Sequence, residues 1–442
     1  FEMRIIMNYY KMICEKEPEK LAIVEDGIPY TYGELIQVID EVSANLSLNE
    51  DKMYGLVNNG TWKKIGEDKK NGKKVYTIKS RSFLEQLILF IACNKIGIIP
   101  MIVQHDITEL PKITEIPDEV CMAVMTSGTT GIPKILYRTY ESWCDFFPIQ
   151  NEIFGINEKS RMFVQGSLAF TGNLNLIMAQ LFAGAVTIVE NKFNPKRWEK
   201  AVKHWDVDVI YLIPSKLMCI PDCFNEKNVN IKMILSGSQS LGKKDAEALK
   251  KIFPNTKVIL YYGASELNYI SYVTDENMNT KRNLIGKPFP KVDVSVKDGE
   301  IYVTNDFHVY GVKCPFSLKD RGYFDDDGNL YFEGRSDDIV GIRGRKVSKA
   351  KIEAAICEYD NVSEAAVVLE KEKDILTAYV SVKEGVRESI FNNEKTCAEF
   401  EQGIYRYIRK KLAHFEMPRK IILLKEMPHN VDTGKIDIKS LK

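Results

Sequence analysis

Apolar runs alternate with amphipathic helical patterns from residue 83 onward. The runs are short and rich in β-branched or other apolar side chains, which is typical of buried strands. They are Val120–Met125, Arg161–Val164, Val186–Val189, Val209–Ile213, Met233–Leu235 and Val258–Tyr261, and the helical segments include Asn175–Phe182, Trp198–His204 and Lys243–Phe253. This alternation predicts an α/β fold with a largely parallel sheet.

Two later regions depart from this pattern. Residues 292–333 show short strands joined by turns, which predicts a β-rich subdomain. After Gly334 the pattern changes to a small α+β unit with helices near 349–357 and 397–412. Its predicted strands are Ala365–Leu369, Leu376–Val382 and Ile421–Leu424. The chain is therefore expected to hold one large N-terminal domain and one small C-terminal domain.

The N-terminal region adds a helix and a basic hairpin. Thr31 and Glu34 form a capping-box pattern before an apolar helical repeat that extends to Leu46. Residues 61–81 carry eight basic side chains around Asn71-Gly72, which predicts a hairpin turn. Such a basic run either stays solvated or docks an acidic carrier protein or a polyphosphate.

Composition narrows the class of protein. The 442 residues hold 61 basic and 61 acidic side chains, and this neutral balance argues against a dedicated nucleic-acid binder. No apolar stretch approaches the ~20 residues that a membrane span requires. The nine cysteines are irregularly spaced and form no zinc pattern, and the N-terminus does not resemble a signal peptide. We therefore expect a cytoplasmic protein with free thiols and no integral membrane segment.

A loop rich in glycine and hydroxyl side chains directly follows the run that ends at Met125. Its glycines expose backbone N–H groups, its hydroxyls donate to oxyanions, and Lys134 adds a cation, so it can cradle a polyphosphate. It is not a Walker loop, because Pro133 precedes the lysine and Ile135 follows it. The loop residues are Thr126, Ser127, Gly128, Thr129, Thr130 and Gly131.

This loop resembles the phosphate loop of the adenylate-forming superfamily, which includes acyl-CoA synthetases, peptide-synthetase adenylation domains and luciferases. Three further motifs of that superfamily follow in order. They are Tyr262-Gly263-Ala264-Ser265-Glu266, the stretch from Asp320 to Arg335-Ser336-Asp337-Asp338, and Gly434-Lys435-Ile436. The resemblance covers most of the chain and is closest to small bacterial acyl-CoA synthetase-like proteins and aryl-acid ligases.

The resemblance implies a set of ATP-binding residues. Tyr262 would lie against adenine, Ser265 and the loop from Thr126 to Lys134 would bind phosphate, and Asp320 would accept hydrogen bonds from the ribose. Gly263 belongs to the same motif. Glu266 offers a hard carboxylate ligand for Mg2+.

The resemblance also implies catalytic and hinge positions. Lys435 would reduce the repulsion between the attacking carboxylate and the α-phosphate, and Arg335 would lie near ribose and phosphate. Asp337 matches a hinge. The implied domains are 1–334, which binds ATP and the acid, a hinge at 335–338, and a mobile cap at 339–442.

The chain departs from the superfamily at two places. Leu318-Lys319-Asp320 replaces the usual Thr-Gly-Asp, and Gly341 stands where CoA ligases often have a lysine. The second departure leaves the acceptor open, because Arg343, Arg345 and Lys346 suit CoA phosphates, an acidic carrier or solvent.

The resemblance implies an acid pocket without an acidic side chain. No Asp or Glu lies between Arg161 and Val189, which disfavours a free amino acid because its ammonium would be unpaired. An aromatic acid could face Phe170, Thr171 and Asn173, whereas Gly172 and Gly237 could open a channel for an alkyl chain. The predicted pocket residues are Phe170, Thr171, Asn173, Ser236, Gly237, Ser238 and Asn268.

These features favour an Mg2+-dependent acid–thiol ligase. It would form an acyl-adenylate and pyrophosphate from ATP and a carboxylic acid, then transfer the acyl group to CoA. A stand-alone aryl-acid ligase that loads a phosphopantetheine carrier protein is the alternative. An alternative from another functional class is a catalytically inactive nucleotide-binding homologue.

Overall fold

The computed structural model describes residues 8–48, 63–67, 73–105, 115–126, 134–280, 282–336, 339–342, 345–370, 375–429 and 436–441. The helices in this part are α1 (Tyr9–Cys14), α2 (Tyr32–Leu48), α3 (Phe83–Lys95), α4 (Glu141–Cys144), α5 (Phe147–Phe154), α6 (Thr171–Ala183), α7 (Pro195–His204), α8 (Pro214–Leu217), α9 (Ile220–Cys223), α10 (Lys243–Ile252), α11 (Lys349–Cys357), α12 (Glu384–Ile390) and α13 (Glu394–Ile408), with short 3₁₀ helices at His414–Glu416 and Ile438–Leu441.

The strands of the larger N-terminal part belong to two sheets. They are β1 (Leu21–Glu25), β2 (Ile28–Thr31), β3 (Lys63–Glu67), β4 (Lys74–Ile78), β5 (Ile99–Ile102), β6 (Met122–Thr126), β7 (Lys134–Arg138), β8 (Arg161–Val164), β9 (Val186–Val189), β10 (Val209–Tyr211), β11 (Met233–Gly237), β12 (Lys257–Ala264), β13 (Asn268–Thr274), β14 (Leu284–Pro288), β15 (Asp293–Lys297), β16 (Glu300–Thr304), β17 (Phe316–Phe324) and β18 (Leu330–Arg335). After them come β19 (Ile339–Ile342), β20 (Arg345–Ser348), β21 (Val362–Glu370), β22 (Ile375–Val382) and β23 (Lys420–Leu424).

The main sheet is mixed, and the predicted parallel arrangement is present in its central strands. Its strand order among the described residues is β15-β16-β17-β18-β14-β13-β12-β11-β10-β8-β9-β1-β2. Strands β12-β11-β10-β8-β9-β1 are parallel to one another, whereas β13 and β2 pair antiparallel with the two ends of this run. The β-rich stretch predicted at 292–333 is present, but it is not a separate sheet. It is continuous with the parallel strands, because β14 pairs with both β13 and β18.

A second sheet has the order β3-β4-β5-β6-β7. The predicted hairpin is present as the antiparallel pair β3 and β4, while its turn at Asn71-Gly72 lies outside the described residues. The capping box is also confirmed, since Thr31 N–H donates to Glu34 Oε2 at 2.8 Å and Glu34 N–H donates to Thr31 Oγ1 at 3.2 Å. Helix α3 packs between α2 and the strands β4 and β5. It is buried on every side from Phe83 to Asn94, because it carries apolar residues all around.

The C-terminal part has its own small core. Strands β21, β22 and β23 form a sheet on which α11 and α13 pack. The apolar side chains Ile352, Ile356, Ala378, Ile404 and Ile408 are fully buried there. This α+β unit agrees with the sequence pattern, although α13 lies a few residues earlier than predicted. Among the described residues, no helix combines the length and apolar character that crossing a membrane requires.

Candidate active site

Loops that follow four parallel strands meet at one edge of the main sheet. Strands β8, β10, β11 and β12 run in the same direction, so their carboxyl ends lie side by side. In α/β proteins this edge is where ligands bind. The residues predicted for the acid pocket and the Tyr262–Glu266 motif lie at or just after the carboxyl ends of strands at this edge.

A tyrosine, an aspartate and an arginine are hydrogen-bonded together beside this edge. The Tyr262 hydroxyl donates to Asp320 Oδ2, and Arg335 Nε donates to Asp320 Oδ1 at 3.0 Å. Strands β17 and β18 place Asp320 directly opposite Arg335, while Tyr262 comes from β12. The Asp320 side chain is only 7% exposed. Burial beside this carboxylate holds the pKa of the Tyr262 phenol well above its ordinary value, so the phenol remains a donor.

Lys319 explains how the chain accommodates its departure from the Thr-Gly-Asp pattern. It has φ +64°, in the left-handed region that favours glycine. The backbone therefore keeps the conformation that a glycine would supply. Two contacts support it, since Lys319 N–H donates to Ser317 Oγ at 2.9 Å and the ammonium pairs with Glu300 at 3.0 Å.

The turn from β12 to β13 presents Ser265 and Glu266. Three hydrogen bonds from outside hold its backbone: Arg138 Nη2 donates to the Ser265 carbonyl at 2.7 Å, Val309 N–H to the Glu266 carbonyl at 2.9 Å, and Asn305 Nδ2 to the Leu267 carbonyl at 3.0 Å. The Glu266 carboxylate is partly exposed and makes no ion pair with any described residue. A single carboxylate beside substrate phosphates is the donor set that Mg2+ prefers, so these residues fit that ion.

Arg138 is the buried cation that positions this turn. It lies at the end of β7 and is fully buried, and its Nη1 donates to the Phe307 carbonyl at 2.9 Å and to Ser142 Oγ at 3.2 Å. Burial lowers its pKa to about 10, and the nearby Glu266 charge opposes that shift. Sequence reasoning missed Arg138. Its signal in the sequence was an arginine directly after the apolar run from Ile135 to Tyr137.

Strand β7 also connects Arg138 to the predicted phosphate loop. Thr126 and Lys134 pair across the ends of β6 and β7, so they close the loop between them. The Lys134 side chain is exposed. Ser127, Gly128, Thr129, Thr130 and Gly131 lie outside the described residues, as do Lys435 and the predicted hinge residue Asp337. Their assigned roles stay predictions.

The predicted acid-pocket residues lie on neighbouring elements of the same edge. Phe170 and Thr171 are partly exposed where α6 begins, and Asn173 is buried with its Nδ2 donating to the Ser167 carbonyl at 3.0 Å. The Ser236 hydroxyl is buried and donates to the Leu212 carbonyl at 2.7 Å, which ties it to β10. Ser238 is exposed after β11, whereas Asn268 is buried at the start of β13.

The two glycines considered for an alkyl channel face filled space. A Cβ atom at Gly237 would lie 2.4 Å from the Tyr261 ring, and one at Gly172 would lie 3.1 Å from the Tyr261 hydroxyl. That hydroxyl is bonded to the Tyr211 hydroxyl at 2.8 Å, and the Tyr261 ring packs edge-on against Tyr269 with centroids 4.5 Å apart. The Tyr261 side chain therefore lies against both glycines, and the alkyl channel stays a prediction.

Comparison with known proteins agrees with this arrangement. The family model described as AMP-binding enzyme matches residues 104–306, and the model described as AMP-binding enzyme C-terminal domain matches residues 351–435, so together they span more than half of the chain. The chain belongs to the AMP-binding enzyme family. The adenylate-forming resemblance found in the sequence motifs is confirmed, and the matched family is one of enzymes.

Relatives of this AMP-binding enzyme differ in their named activities. The chain is 25% identical over 331 residues to the uncharacterised acyl–CoA ligase YhfT of Bacillus subtilis, which covers 70% of this chain and 66% of that protein. It is 23% identical over 504 residues to the δ-poly-L-ornithine synthetase of Acinetobacter baumannii, covering 99% of this chain and 36% of that protein. The chain thus spans about two thirds of the first relative and about a third of the second.

Solved structures of the family share the fold. ATP-bound MatB from Rhodopseudomonas palustris superposes with a TM-score of 0.77 at 18% identity, covering 98% of both chains. o-Succinylbenzoate CoA synthetase from Bacillus subtilis, in complex with its acyl-adenylate, gives 0.76 at 17% identity with the same coverage. These likenesses show that the large α/β domain with a separate small C-terminal domain is the architecture of this AMP-binding enzyme.

Proposed function

We propose that the protein activates a carboxylic acid with ATP and transfers the acyl group to a thiol. The observation that carries this proposal is the Tyr262–Asp320–Arg335 cluster placed beside Glu266 at the carboxyl edge of the sheet. A fixed, buried carboxylate suits hydrogen bonding to the two ribose hydroxyls of a nucleotide. Family membership supports the same reading.

In the first step, an oxygen of the substrate carboxylate attacks the α-phosphorus of ATP, and the bond to the β-phosphate oxygen breaks. The products are an acyl-adenylate and pyrophosphate. Arg335 and Lys435 would lower the repulsion between the anionic reactants. Mg2+ held by Glu266 would neutralise charge on the phosphates. Arg138 holds the backbone of the Ser265–Glu266 turn, so Glu266 is positioned before ATP binds.

In the second step, a thiolate attacks the acyl carbonyl and AMP leaves, giving a thioester. The acceptor would be CoA or a phosphopantetheine carrier. Arg345 stacks over the Phe415 ring at 4.8 Å, which presents a cation on the C-terminal part where a phosphate of either acceptor could bind.

ATP–pyrophosphate exchange tests the first step. We expect label from pyrophosphate to enter ATP only when a suitable acid is added, in a screen over dicarboxylic, aryl, fatty and amino acids. Lys435→Ala is expected to abolish exchange while leaving most of the transfer from preformed acyl-adenylate to the thiol. Exchange supported by aryl acids, followed by transfer to a carrier and not to CoA, would favour the carrier-loading alternative. Absence of exchange with every acid, despite ATP binding, would favour an inactive homologue.

A further inference from the structure

Lys216 places a cation inside the predicted acid pocket. It lies on α8, directly after β10, at the edge where the pocket residues meet. Its ammonium donates to the Gln165 carbonyl at 3.2 Å. A Cβ atom built at Gly166 would lie 3.3 Å from Lys216 Nζ and 3.0 Å from Asn173 Nδ2. The ammonium and the pocket amide therefore flank the same glycine.

No described carboxylate neutralises this cation. Lys216 forms no ion pair within the described ranges, and the sequence between Arg161 and Val189 has no Asp or Glu. Burial is the main cause that lowers the pKa of Lys216 to about 8. An ammonium that is only partly solvated and has no counter-ion is unfavourable, and a bound anion offsets that cost.

The Tyr261 side chain packs at the edge of the predicted acid pocket. Its ring occupies the space beside Gly237, and its hydroxyl is fixed to Tyr211. Tyr261 is 6% exposed, and Tyr211 and Tyr269 beside it are also buried. A long alkyl chain would have to displace this packed aromatic group, so a short acyl group fits this side of the pocket.

We infer that Lys216 binds a second carboxylate of the substrate, so the acid that this protein activates is a short dicarboxylic acid. This inference rests on the proposed function. One carboxylate would face the α-phosphate while the other pairs with the Lys216 ammonium and accepts from the Asn173 amide. An amino acid does not fit, because a cationic substrate group would meet Lys216 without a neighbouring carboxylate.

Acids matched in length test the inference. ATP–pyrophosphate exchange is measured with butanedioate against butanoate, and with pentanedioate against pentanoate. A charge-assisted contact predicts a preference on the order of 10- to 100-fold in kcat/KM for the dicarboxylic acid. Lys216→Met is expected to remove this preference while leaving the KM for ATP unchanged. Lys216→Arg retains the cation and is expected to keep most of the preference.

Two controls separate the subsite from general damage. Lys200→Met removes an exposed lysine on α7 and is expected to leave the preference intact. Thermal unfolding of Lys216→Met should show a folded protein, because the variant removes a partly buried charge that has no described counter-ion. Equal exchange with both members of each pair, or an equal loss for both in Lys216→Met, would overturn the inference while the proposed function stands. Absence of exchange with every acid would overturn the proposed function and the subsite with it.

Discussion

Replacing Arg138 by methionine tests how the active-site turn is positioned. The guanidinium donates to the carbonyls of Ser265 and Phe307, which are 127 and 169 residues away in sequence. Methionine fills much of the same volume but donates no hydrogen bond. The variant therefore leaves these two acceptors unpaired in a site where the arginine is fully buried.

The expected magnitude follows from those two bonds. Each unsatisfied buried acceptor costs about 1–3 kcal/mol, and removing the buried cation offsets part of that loss. We expect a net destabilisation of about 2–4 kcal/mol. Trp143 packs under the guanidinium, with Cζ 5.4 Å from the ring centroid, and it is one of four tryptophans whose fluorescence can follow urea unfolding.

The kinetics of ATP–pyrophosphate exchange provide a second measurement on the same variant. If Arg138 positions Glu266 through the Ser265 carbonyl, kcat of exchange should fall more than substrate affinity. Arg138→Lys keeps the charge but lacks the planar guanidinium that donates to both carbonyls. It should therefore recover only part of the stability and the rate. A wild-type urea midpoint together with wild-type kcat in Arg138→Met would refute the positioning role.

Three further substitutions have defined outcomes. Asp320→Asn keeps the shape but removes the charge that, in the proposed function, would accept from the ribose, so the ATP KM of exchange should rise on the order of tenfold or more; an unchanged KM would contradict the assignment. Gly237→Ala places a methyl group 2.4 Å from the Tyr261 ring and should destabilise by about 1–3 kcal/mol in urea unfolding, where an unchanged midpoint would show that the ring yields freely. Lys319→Gly relieves φ +64° and loses only an exposed pair with Glu300, so stability should rise by about 0.5–1 kcal/mol, and a clear decrease would count against backbone strain.

The local sequence pattern predicted the strands and helices well where the apolar run or apolar periodicity was clear. The short runs at 161–164 and 186–189 became β8 and β9 with the predicted bounds. Helix α6 begins four residues before its predicted start at Asn175, because its first turn holds Gly172 and polar residues that carry no apolar periodicity. The joining of the β-rich strands to the main sheet depends on pairs such as Ser271 with Pro288, which no local pattern contains.

The site was predicted unevenly for the same physical reason. Motif residues such as Tyr262 and Asp320 are found from their sequence neighbours, and the structure brings these two together from strands 58 residues apart. Arg138 and Lys216 act through burial and through contacts with distant backbone atoms, and neither property is visible in a charge count. The surroundings of Gly237 were not predictable either, because the Tyr261 ring that lies against it comes from a different strand.

Transfer of oxygen from the acid to AMP tests the central claim most directly. The dicarboxylic acid that supports exchange is labelled with ¹⁸O in both carboxylates and incubated with ATP, Mg2+ and the thiol acceptor. Attack of a carboxylate oxygen on the α-phosphorus predicts AMP that carries one ¹⁸O atom and pyrophosphate that carries none, measured by mass spectrometry. Label in inorganic phosphate, or AMP without label while thioester accumulates, would contradict an acyl-adenylate intermediate.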